Sequence, residues 1–253
     1  MAAATRRSSA AGPIPAHAPA PSYEATRGRL EEYFDRTATE TWARLTSDAP
    51  VSRVRATVRA GRDRMRGVLL SMLPEDMRGL RLLDAGCGVG QLAVAAARRG
   101  AQVTAIDISP TLVGIAQERA AAAAPAEALA RIDWRSGDML AEELGRFDHV
   151  VAMDSLIHYR ADDIVAALAR LAARTSGSIA FTVAPSTPAL NAMWAAGKLF
   201  PRGDRSPAIQ PVKASALARR AIKVPALAEW RIASRERVSS GFYISEAVEA
   251  RPA

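Results

Sequence analysis

The sequence predicts an α/β protein with a mostly parallel sheet, helices on both faces of that sheet and an antiparallel hairpin at its end. From residue 80 onward, short apolar runs alternate with helical patterns at the spacing of β–α–β units. Near the C-terminus, two segments of alternating apolar and polar residues flank the turn Ser239-Ser240-Gly241, which is typical of a β-hairpin. The 253 residues fit one such domain with additions, or at most two small domains.

A helical arm over residues 23–79 is predicted ahead of the sheet. Apolar residues recur at three- and four-residue spacing from Tyr23 to Leu45 and from about Val51 to Leu73, so each segment should form an amphipathic helix. The polar faces of the second helix carry six arginines and a single acid. These arginines are Arg53, Arg55, Arg59, Arg62, Arg64 and Arg66.

Residues 80–253 should form the domain itself, with seven strands. The five predicted parallel strands are Arg81–Ala85, Gln102–Asp107, Arg131–Arg135, Phe147–Asp154 and Ser178–Ala184. Helices are expected over about Gln91–Arg99, Pro110–Ala124 and Asp162–Ala173, and the hairpin strands over Trp230–Val238 and Phe242–Ala250. Residues 188–225 are rich in Pro, Ala and Arg and do not continue the alternation of strands and helices. We therefore expect an insertion here, with helices near Leu190–Leu199 and Ala214–Ala221.

The composition narrows the class of protein. The net charge is +8, and the 34 basic residues include three lysines and therefore 31 arginines. This balance indicates nucleic acid, a membrane surface or an anionic small molecule as partner, or only a compositional bias. The lone Cys87 excludes a disulfide framework and fits a reducing cytoplasm. Residues 1–22, with four prolines and no acid, should be a disordered leader rather than a secretory signal, and no membrane span is predicted.

A glycine loop gives the strongest chemical signal. The run Asp84-Ala85-Gly86-Cys87-Gly88-Val89-Gly90 ends the first strand and opens a helix, which is where a sheet of this type binds its ligand. The dinucleotide fingerprint is G-x-G-x-x-G, whereas this loop is G-x-G-x-G and follows an acid. A pyrophosphate would gain little from the carboxylate of Asp84, but a ligand with a cationic amine would. S-adenosylmethionine carries both an ammonium and a sulfonium, so the loop favours this cofactor.

Further acidic residues follow the next two strands. Asp107 ends the second strand, 23 residues after Asp84, and can accept hydrogen bonds from both hydroxyls of a ribose. Asp138 and Met139 follow the third strand, where an acid and an apolar neighbour can hold the edge and the face of an adenine. Together with the glycine loop, these acids resemble the Rossmann-like fold of class I S-adenosylmethionine-dependent methyltransferases, whose seven-stranded sheet ends in an antiparallel hairpin.

The loop after the fourth strand should meet the substrate. It reads Met153-Asp154-Ser155-Leu156-Ile157-His158-Tyr159 and lacks the Asn/Asp-Pro-Pro-aromatic sequence of many amine and base methyltransferases, which disfavours nucleic acid. His158 can act as a general base, an orienting donor or a metal ligand, or serve a structural role. His149 lies inside a strand and should be structural.

Several blocks resemble the magnesium protoporphyrin IX O-methyltransferase family of chlorophyll and bacteriochlorophyll synthesis, over roughly residues 30–250. They are Tyr33–Thr37, Trp42–Thr46, Val58–Arg62, Asp84–Gly90, Met153–Tyr159, Phe200–Arg202 and Arg237–Tyr243. The resemblance implies methyl transfer from S-adenosylmethionine to the ring-C propionate of Mg-protoporphyrin IX. It also implies that the arm is a lid over the cofactor and that residues 188–225 cover the macrocycle. The arginine run of the arm is then a solvated face, a propionate clamp or a membrane-surface contact.

The resemblance also assigns roles to particular residues. Cofactor contacts are expected from Asp84, Gly86, Gly88, Gly90, Asp107, Ile108, Asp138, Met139 and Met153. Substrate contacts are expected from Arg59, Arg62, Asp154 and Tyr159, and orientation of the reacting carboxylate from His158 and Tyr33. Magnesium should belong to the substrate and not to a protein site. The expected location is the cytoplasm. The resemblance is also compatible with peripheral contact with the photosynthetic membrane and with handover of substrate from magnesium chelatase.

Two alternatives remain open at this level. A class I methyltransferase acting on another anionic small molecule, such as a quinone precursor, would show the same glycine loop and acids. A non-catalytic carrier of S-adenosylmethionine or porphyrin is a different class of protein, and the intact Asp84, Asp107 and His158 weigh against it. An RNA methyltransferase would rest on net charge alone.

Overall fold

The computed structural model describes residues 21–36, 53–187, 190 and 207–253. In these ranges, two helices precede the sheet: α1 (Pro21–Arg36) and α2 (Arg53–Ser71). The predicted arm is therefore helical over these two segments and ends in turns at residues 72–79, and α1 begins two residues earlier than expected. Pro21 fits this start because proline at the first helical position needs no hydrogen-bonded N–H. The rest of the predicted first helix, residues 37–45, lies outside the described residues, as do residues 1–20 of the predicted leader and 191–199 of the predicted tail helix.

The sheet has seven strands, in the predicted number and sequence order. They are β1 (Arg81–Ala85), β2 (Gln102–Asp107), β3 (Ile132–Ser136), β4 (Phe147–Ala152), β5 (Thr175–Val183), β6 (Trp230–Ser240) and β7 (Tyr243–Pro252). Their spatial order is β3-β2-β1-β4-β5-β7-β6. Strands β1 to β5 are parallel, and β7 is antiparallel to both β5 and β6. Successive strands are added on one side of β1 as far as β3 and on its other side from β4 onward, so the topological switch point lies between β1 and β4. In open α/β sheets the ligand binds in the crevice at the carboxyl ends of the two strands at such a point.

Helices between the strands cover both faces. They are α3 (Gln91–Arg98), α4 (Pro110–Ala123), the short α5 (Ala126–Leu129), α6 (Ala161–Ala172) and α7 (Ala214–Ala221). Ser109 caps α4, since its hydroxyl accepts the N–H of Leu112 at 3.2 Å and Pro110 follows at the first helical position. None of the helices in the described ranges carries the long apolar stretch that a membrane span requires.

The sheet has a hydrophobic core on each face. Successive residues of a strand pack into opposite cores because side chains alternate across a sheet. Leu83 and Val150 belong to the core under α1, α6 and α7. Leu82 and Val151, their sequence neighbours, belong to the core under α2 and α3. The central strands are therefore apolar on both faces, as a buried parallel sheet requires.

The structure corrects several predicted boundaries. Strand β4 stops at Ala152 instead of Asp154, because Asp154 has a φ of 56° and leaves the extended conformation. The hairpin turns two residues later than expected. Ser239 and Ser240 remain in the ladder, Ser240 pairs with Tyr243, and the two-residue turn is Gly241-Phe242, with Gly241 at a φ of 57°.

Helix α2 packs directly on this hairpin. A Cβ added to Gly61 would lie 2.6 Å from Cδ1 of Tyr243, and one added to Gly241 would lie 2.5 Å from Oγ1 of Thr57. The hydroxyl of Ser240 donates to the carbonyl of Thr57 at 2.9 Å. Glycine at both positions lets the backbone of each element lie directly against a side chain of the other.

Gly61→Ala should therefore lower the free energy of unfolding by about 1–3 kcal/mol, since overpacking against a buried ring outweighs the gain in helix propensity. Gly67→Ala, in the same helix, is the matched control because nothing lies within 4 Å of its added Cβ. The control should be neutral or more stable by up to about 1 kcal/mol. Thermal unfolding followed by circular dichroism measures both changes, and equal midpoints for the two variants would contradict the close contact.

Candidate active site

The glycine loop forms the floor of a cleft at the carboxyl end of the sheet. Gly86, Gly88 and Gly90 have φ values of 83°, 53° and 77°, which only glycine adopts readily. A Cβ on Gly86 would overlap the side chain of Ser155, so the loops after β1 and β4 touch at this point. The cleft has a volume of about 990 Å³, counting its open mouth.

Asp84 lies at the end of β1 and faces this cleft. The residue is 1% exposed, and its Oδ2 has no hydrogen-bond partner among the described residues. Burial, together with the nearby charge of Asp107, raises the pKa of Asp84 to about 7. A buried carboxylate oxygen without a partner is costly, and a cationic ligand would remove that cost.

Asp107 holds the glycine loop and the start of α4. Its Oδ2 accepts the N–H of Gly88 at 2.8 Å and its Oδ1 accepts the N–H of Ser109 at 3.0 Å. Burial raises the pKa of Asp107, and the backbone hydrogen bonds oppose that shift. Each carboxylate oxygen can accept a second hydrogen bond, so this residue can still bind a pair of hydroxyls.

Helix α1 closes one side of the cleft through Asp138. Oδ1 of Asp138 accepts the hydroxyl of Tyr23 and the N–H of Leu140, at 2.8 and 2.9 Å, and Oδ2 pairs with Arg27 at 2.9 Å. The ring of Tyr23 also stacks on Tyr159, with centroids 4.8 Å apart. The helix is thus fixed to the loops after β3 and β4, and burial raises the pKa of both tyrosines, which stay protonated.

His158 lies on the wall formed by the loop after β4. The residue is buried, its ring meets the edge of Phe34 with centroids 6.1 Å apart, and its Nδ1 lies 3.4 Å from the carbonyl oxygen of Ala208. Burial lowers the pKa of His158, so the imidazole is neutral at pH 7. A carbonyl only accepts hydrogen bonds, so this contact places the proton on Nδ1 and leaves Nε2 as an acceptor.

Arg62 and Asp154 face each other where α2 borders the cleft. Nη1 of Arg62 lies 3.2 Å from Oδ2 of Asp154, and both side chains are largely buried. Arg66, one turn along α2, also lines the cleft and donates to Oε1 of Gln91 at 2.9 Å. The cleft therefore has acidic groups on its floor at Asp84 and Asp107, and on its wall two guanidinium groups from α2, each of them paired with an acid.

Most residues predicted for the site line this one cleft. They are Asp84, Gly86, Gly88, Asp107, Ile108, Asp138, Met139, Met153, Arg62, Asp154, His158 and Tyr159. Three others do not line it. Tyr33 packs edge-on against Phe34, Arg59 lies on α2 outside the cleft, and Gly90 is the N-cap of α3, where an added Cβ would overlap the ring of Trp134.

Several residues that form the walls were not predicted from the sequence. They are Tyr23, Arg27, Leu30, Phe34 and Gln91, whereas Arg66 belongs to the arginine run for which a propionate clamp was one interpretation. Leu30 and Phe34 belong to the apolar stripe of α1, and only the direction in which that stripe faces would have identified them. His149, predicted as structural, lies in β4 with its Nδ1 2.8 Å from Oγ of Ser178, away from the cleft.

Comparison with known proteins agrees with this arrangement. A family profile described as "Magnesium-protoporphyrin IX methyltransferase C-terminus" matches residues 152–252, and a "Methyltransferase domain" profile matches residues 82–176. A magnesium-protoporphyrin O-methyltransferase of Rhodobacter capsulatus is 52% identical over 235 residues, covering 91% of this chain and 98% of the relative. This chain belongs to the magnesium-protoporphyrin IX methyltransferase family.

More distant members of the family support the same assignment. The chloroplastic magnesium protoporphyrin IX methyltransferase of Arabidopsis thaliana is 32% identical over 229 residues, covering 88% of this chain and 70% of the relative. The crystal structure of the Synechocystis PCC 6803 magnesium protoporphyrin IX methyltransferase with bound SAH superposes with a TM-score of 0.73 and 29% identity, over 90% of this chain and 100% of the other. The predicted class I methyltransferase fold is confirmed.

The donor set of this methyltransferase cleft fits S-adenosylmethionine. The unpartnered Oδ2 of Asp84 suits the ammonium group, and Asp107 keeps acceptor capacity for the ribose hydroxyls. Asp138 is already bound by two side chains of α1, so its predicted contact with adenine would have to use the remaining acceptor capacity of Oδ2. Met139 and Met153 supply apolar surface in the same cleft.

The affinity of this methyltransferase for S-adenosylmethionine should fall as the pH drops below 7. Asp84 has a raised pKa of about 7 in the free protein, so at lower pH it holds a proton that must leave before the carboxylate can meet an ammonium. We expect up to about a tenfold loss in affinity for each pH unit below 7, and a flat response just above it. Calorimetry at pH 5.5–7.5 measures this slope, together with proton release on binding. Asp84→Asn should bind weakly with no such slope, and a pH-independent wild-type affinity would contradict the assignment.

Proposed function

We propose that this chain transfers the methyl group of S-adenosylmethionine to the ring-C propionate of Mg-protoporphyrin IX, giving the monomethyl ester and S-adenosylhomocysteine. The observation that carries this proposal is the polarity of the cleft in a chain of this family. A buried carboxylate oxygen of Asp84, without a partner among the described residues, suits a cationic cofactor, and Arg62 and Arg66 in the lining of the same cleft suit an anionic substrate.

The chemistry is a single displacement. When bound, S-adenosylmethionine supplies an electrophilic methyl group: a carboxylate oxygen forms the new C–O bond while the S–C bond breaks and its electron pair stays on sulfur. A propionate is ionised at neutral pH, so the reaction requires no strong base. The carboxylate and the sulfonium neutralise each other in the transition state, and a site that excludes water favours this loss of charge.

The residues of the chain position the reactants and exclude water. In this proposal Asp84 and Asp107 bind the cofactor, and Met153 and His158, which line the same cleft, contact the two reactants. Helix α1, fixed by Tyr23 and Arg27 to Asp138, lines one side of the cleft, where it would shield the bound reactants from solvent. These groups act by holding a weak nucleophile in line with the methyl group. Tyr33, which does not line the cleft with α1 as it stands, would have to reach the substrate through a movement of this helix.

The predicted domain organisation belongs to the same proposal. Residues 23–79 act as a lid, and their described helices α1 and α2 already line two sides of the cleft. Residues 188–225 cover the flat face of the macrocycle. The carbonyl oxygen of Ala208, which is part of this segment, lies beside His158.

One assay tests the proposal. Purified protein is mixed with S-adenosylmethionine and either Mg-protoporphyrin IX or metal-free protoporphyrin IX, and chromatography detects the ester. We expect monomethyl ester from the magnesium form. Absence of ester from that form, with cofactor binding intact, would overturn the function. Methylation of a quinone precursor instead would identify another anionic substrate, and binding of both ligands without turnover would identify a carrier.

We further propose peripheral contact with a membrane surface. Phe242 is 69% exposed at the tip of the β6–β7 hairpin, an apolar side chain that suits insertion at the surface of a bilayer, whereas the half-exposed Arg237 of the same hairpin is paired with Glu246. Sedimentation with anionic and with neutral vesicles tests this contact, and retention by neither would exclude it. The handover of substrate from magnesium chelatase stays a prediction.

A further inference from the structure

Asp154 has the most constrained position in the cleft. Its φ of 56° makes it the one non-glycine residue with a positive φ in the described ranges. Such a conformation costs free energy and persists only where surrounding contacts enforce it. The residue follows β4, whose carboxyl end borders the ligand crevice.

Two strands and a helix meet at the side chain of Asp154. From β5, Oγ1 of Thr182 accepts the backbone N–H of Asp154 at 2.7 Å and lies 3.3 Å from its Oδ1. From β7, the hydroxyl of Tyr243 lies 3.1 and 3.3 Å from Oδ1 and Oδ2. From α2, Nη1 of Arg62 lies 3.2 Å from Oδ2. The carboxylate is thus occupied by protein donors, although the sequence analysis had assigned it to the substrate.

The two hydroxyl groups hold Asp154 without adding charge. Burial and the nearby charge of Asp154 raise the pKa of Tyr243, so the phenol stays protonated. Its hydroxyl donates a hydrogen bond to the carboxylate of Asp154. Thr182 is fully buried and neutral. Arg62 is therefore the cation opposite Asp154, and the pair has no net charge.

A charge-balanced guanidinium suits the reaction proposed above. It can donate hydrogen bonds to a carboxylate through its planar fork, yet it does not place an uncompensated positive charge beside a sulfonium. The paired guanidinium also withdraws less electron density from the nucleophilic carboxylate oxygen than an unpaired cation would. Arg62 lines the cleft, whereas Tyr243 lies behind it and reaches the cleft only through Asp154.

We propose that Tyr243, Thr182 and Asp154 form a positioning network that holds the guanidinium of Arg62 at the cleft wall, where Arg62 selects substrates that carry a carboxylate. Arg62 touches the substrate, and the other three act through it. This inference rests on the proposed function, because it assigns one contact of the same substrate.

Tyr243→Phe tests the network with the smallest change, since the ring that packs on Gly61 remains. We expect the KM for Mg-protoporphyrin IX to rise about fivefold to tenfold, which is less than the loss of a hydrogen bond made directly to a charged group because Tyr243 acts on the substrate through Asp154 and Arg62. The kcat and the dissociation constant of S-adenosylmethionine should change less than about twofold, since neither depends on this contact. Arg62→Ala should raise the same KM by about 100-fold, and Arg62→Lys should recover only part of that loss because it lacks the fork.

Binding of the dimethyl ester of Mg-protoporphyrin IX, followed by porphyrin fluorescence, separates selectivity from general damage. Both carboxylates are absent from this probe, so Arg62→Ala and Tyr243→Phe should bind it as the wild type does. Thr182→Val should resemble Tyr243→Phe, whereas Thr175→Val should leave every constant unchanged. Thr175 is the matched control, since it is a buried threonine on the same strand whose hydroxyl donates to the carbonyl of Leu171 at 2.7 Å.

The outcomes distinguish the two proposals. If the wild type forms no ester, the proposed function fails and the carboxylate contact fails with it. If the wild type forms ester while Tyr243→Phe keeps the same KM, or loses affinity equally for the diacid and the dimethyl ester, only the network is overturned.

Discussion

Replacement of His158 by alanine should lower kcat by about 100-fold to 1,000-fold while S-adenosylmethionine binds with nearly unchanged affinity. Burial keeps the imidazole neutral in the free protein, and the contact with Ala208 occupies Nδ1, which leaves Nε2 for the substrate. Because the propionate is ionised and Nε2 has no proton, His158 has to take up a proton when the substrate binds, and the Nε2–H then donates to one carboxylate oxygen and so fixes the orientation of the reacting one. Rapid-quench measurement of ester formation, together with calorimetry for the cofactor, separates these two effects.

His149→Ala provides the control for this experiment. His149 is a partly buried histidine of β4 bound to Ser178, outside the cleft, and burial lowers its pKa as well. Its loss should cost some stability and leave kcat within about twofold at a temperature well below unfolding. Equal kcat values for the two variants would remove His158 from the chemistry. Tyr33→Phe, measured beside them, tests whether the lid brings this tyrosine to the substrate.

Replacement of Asp107 by alanine should weaken S-adenosylmethionine binding by about 100-fold. Two charge-assisted hydrogen bonds to the ribose would be lost, each contributing about 1.5–3 kcal/mol at most, and the N–H groups of Gly88 and Ser109 would lose their acceptor. Calorimetric titration with S-adenosylhomocysteine measures the change in affinity without turnover. Thermal unfolding of the free protein reports the separate cost of the orphaned N–H groups.

Asp133→Ala serves as the control for Asp107→Ala. Asp133 is an exposed acid of the neighbouring strand β3 and pairs with Arg135 at 2.7 Å. Its removal should leave cofactor affinity unchanged, since surface ion pairs contribute little. An Asp107→Ala protein that is folded and binds the cofactor as the wild type does would exclude the ribose contact.

The strands and the cofactor floor could be predicted from the sequence because their signals are local. The glycine loop and Asp107 each follow an apolar run that forms a buried strand, and parallel strands bring their carboxyl ends to one edge. The boundaries were less accurate where a single residue changes the backbone direction. Strand β4 ends early because Asp154 has a positive φ. Ser239 and Ser240 continue the hydrogen-bonded ladder between β6 and β7, although serines are common in turns.

The walls of the cleft could not be predicted in the same way, because their contacts join distant parts of the chain. Tyr23 and Asp138 are 115 positions apart, and Tyr243 and Asp154 are 89 positions apart. No periodicity links such pairs, and the hydroxyl of a tyrosine on an apolar helix face gives no indication of its acceptor. The resemblance to a family marked the segment around Tyr243 but assigned it no role.

The position of β7 has a consequence for synthesis of the protein. This strand is the last in the sequence, yet it lies between β5 and β6 in the sheet and supplies the tyrosine that secures Asp154. A nascent chain that has emerged only as far as α7 therefore leaves the edge of β5 unpaired and open to other strands. Its substrate wall is incomplete at that stage. A chain that terminates prematurely before the hairpin would accordingly be prone to aggregation and would be unable to capture porphyrin, so methylation competence arises only when the final hairpin has joined the sheet.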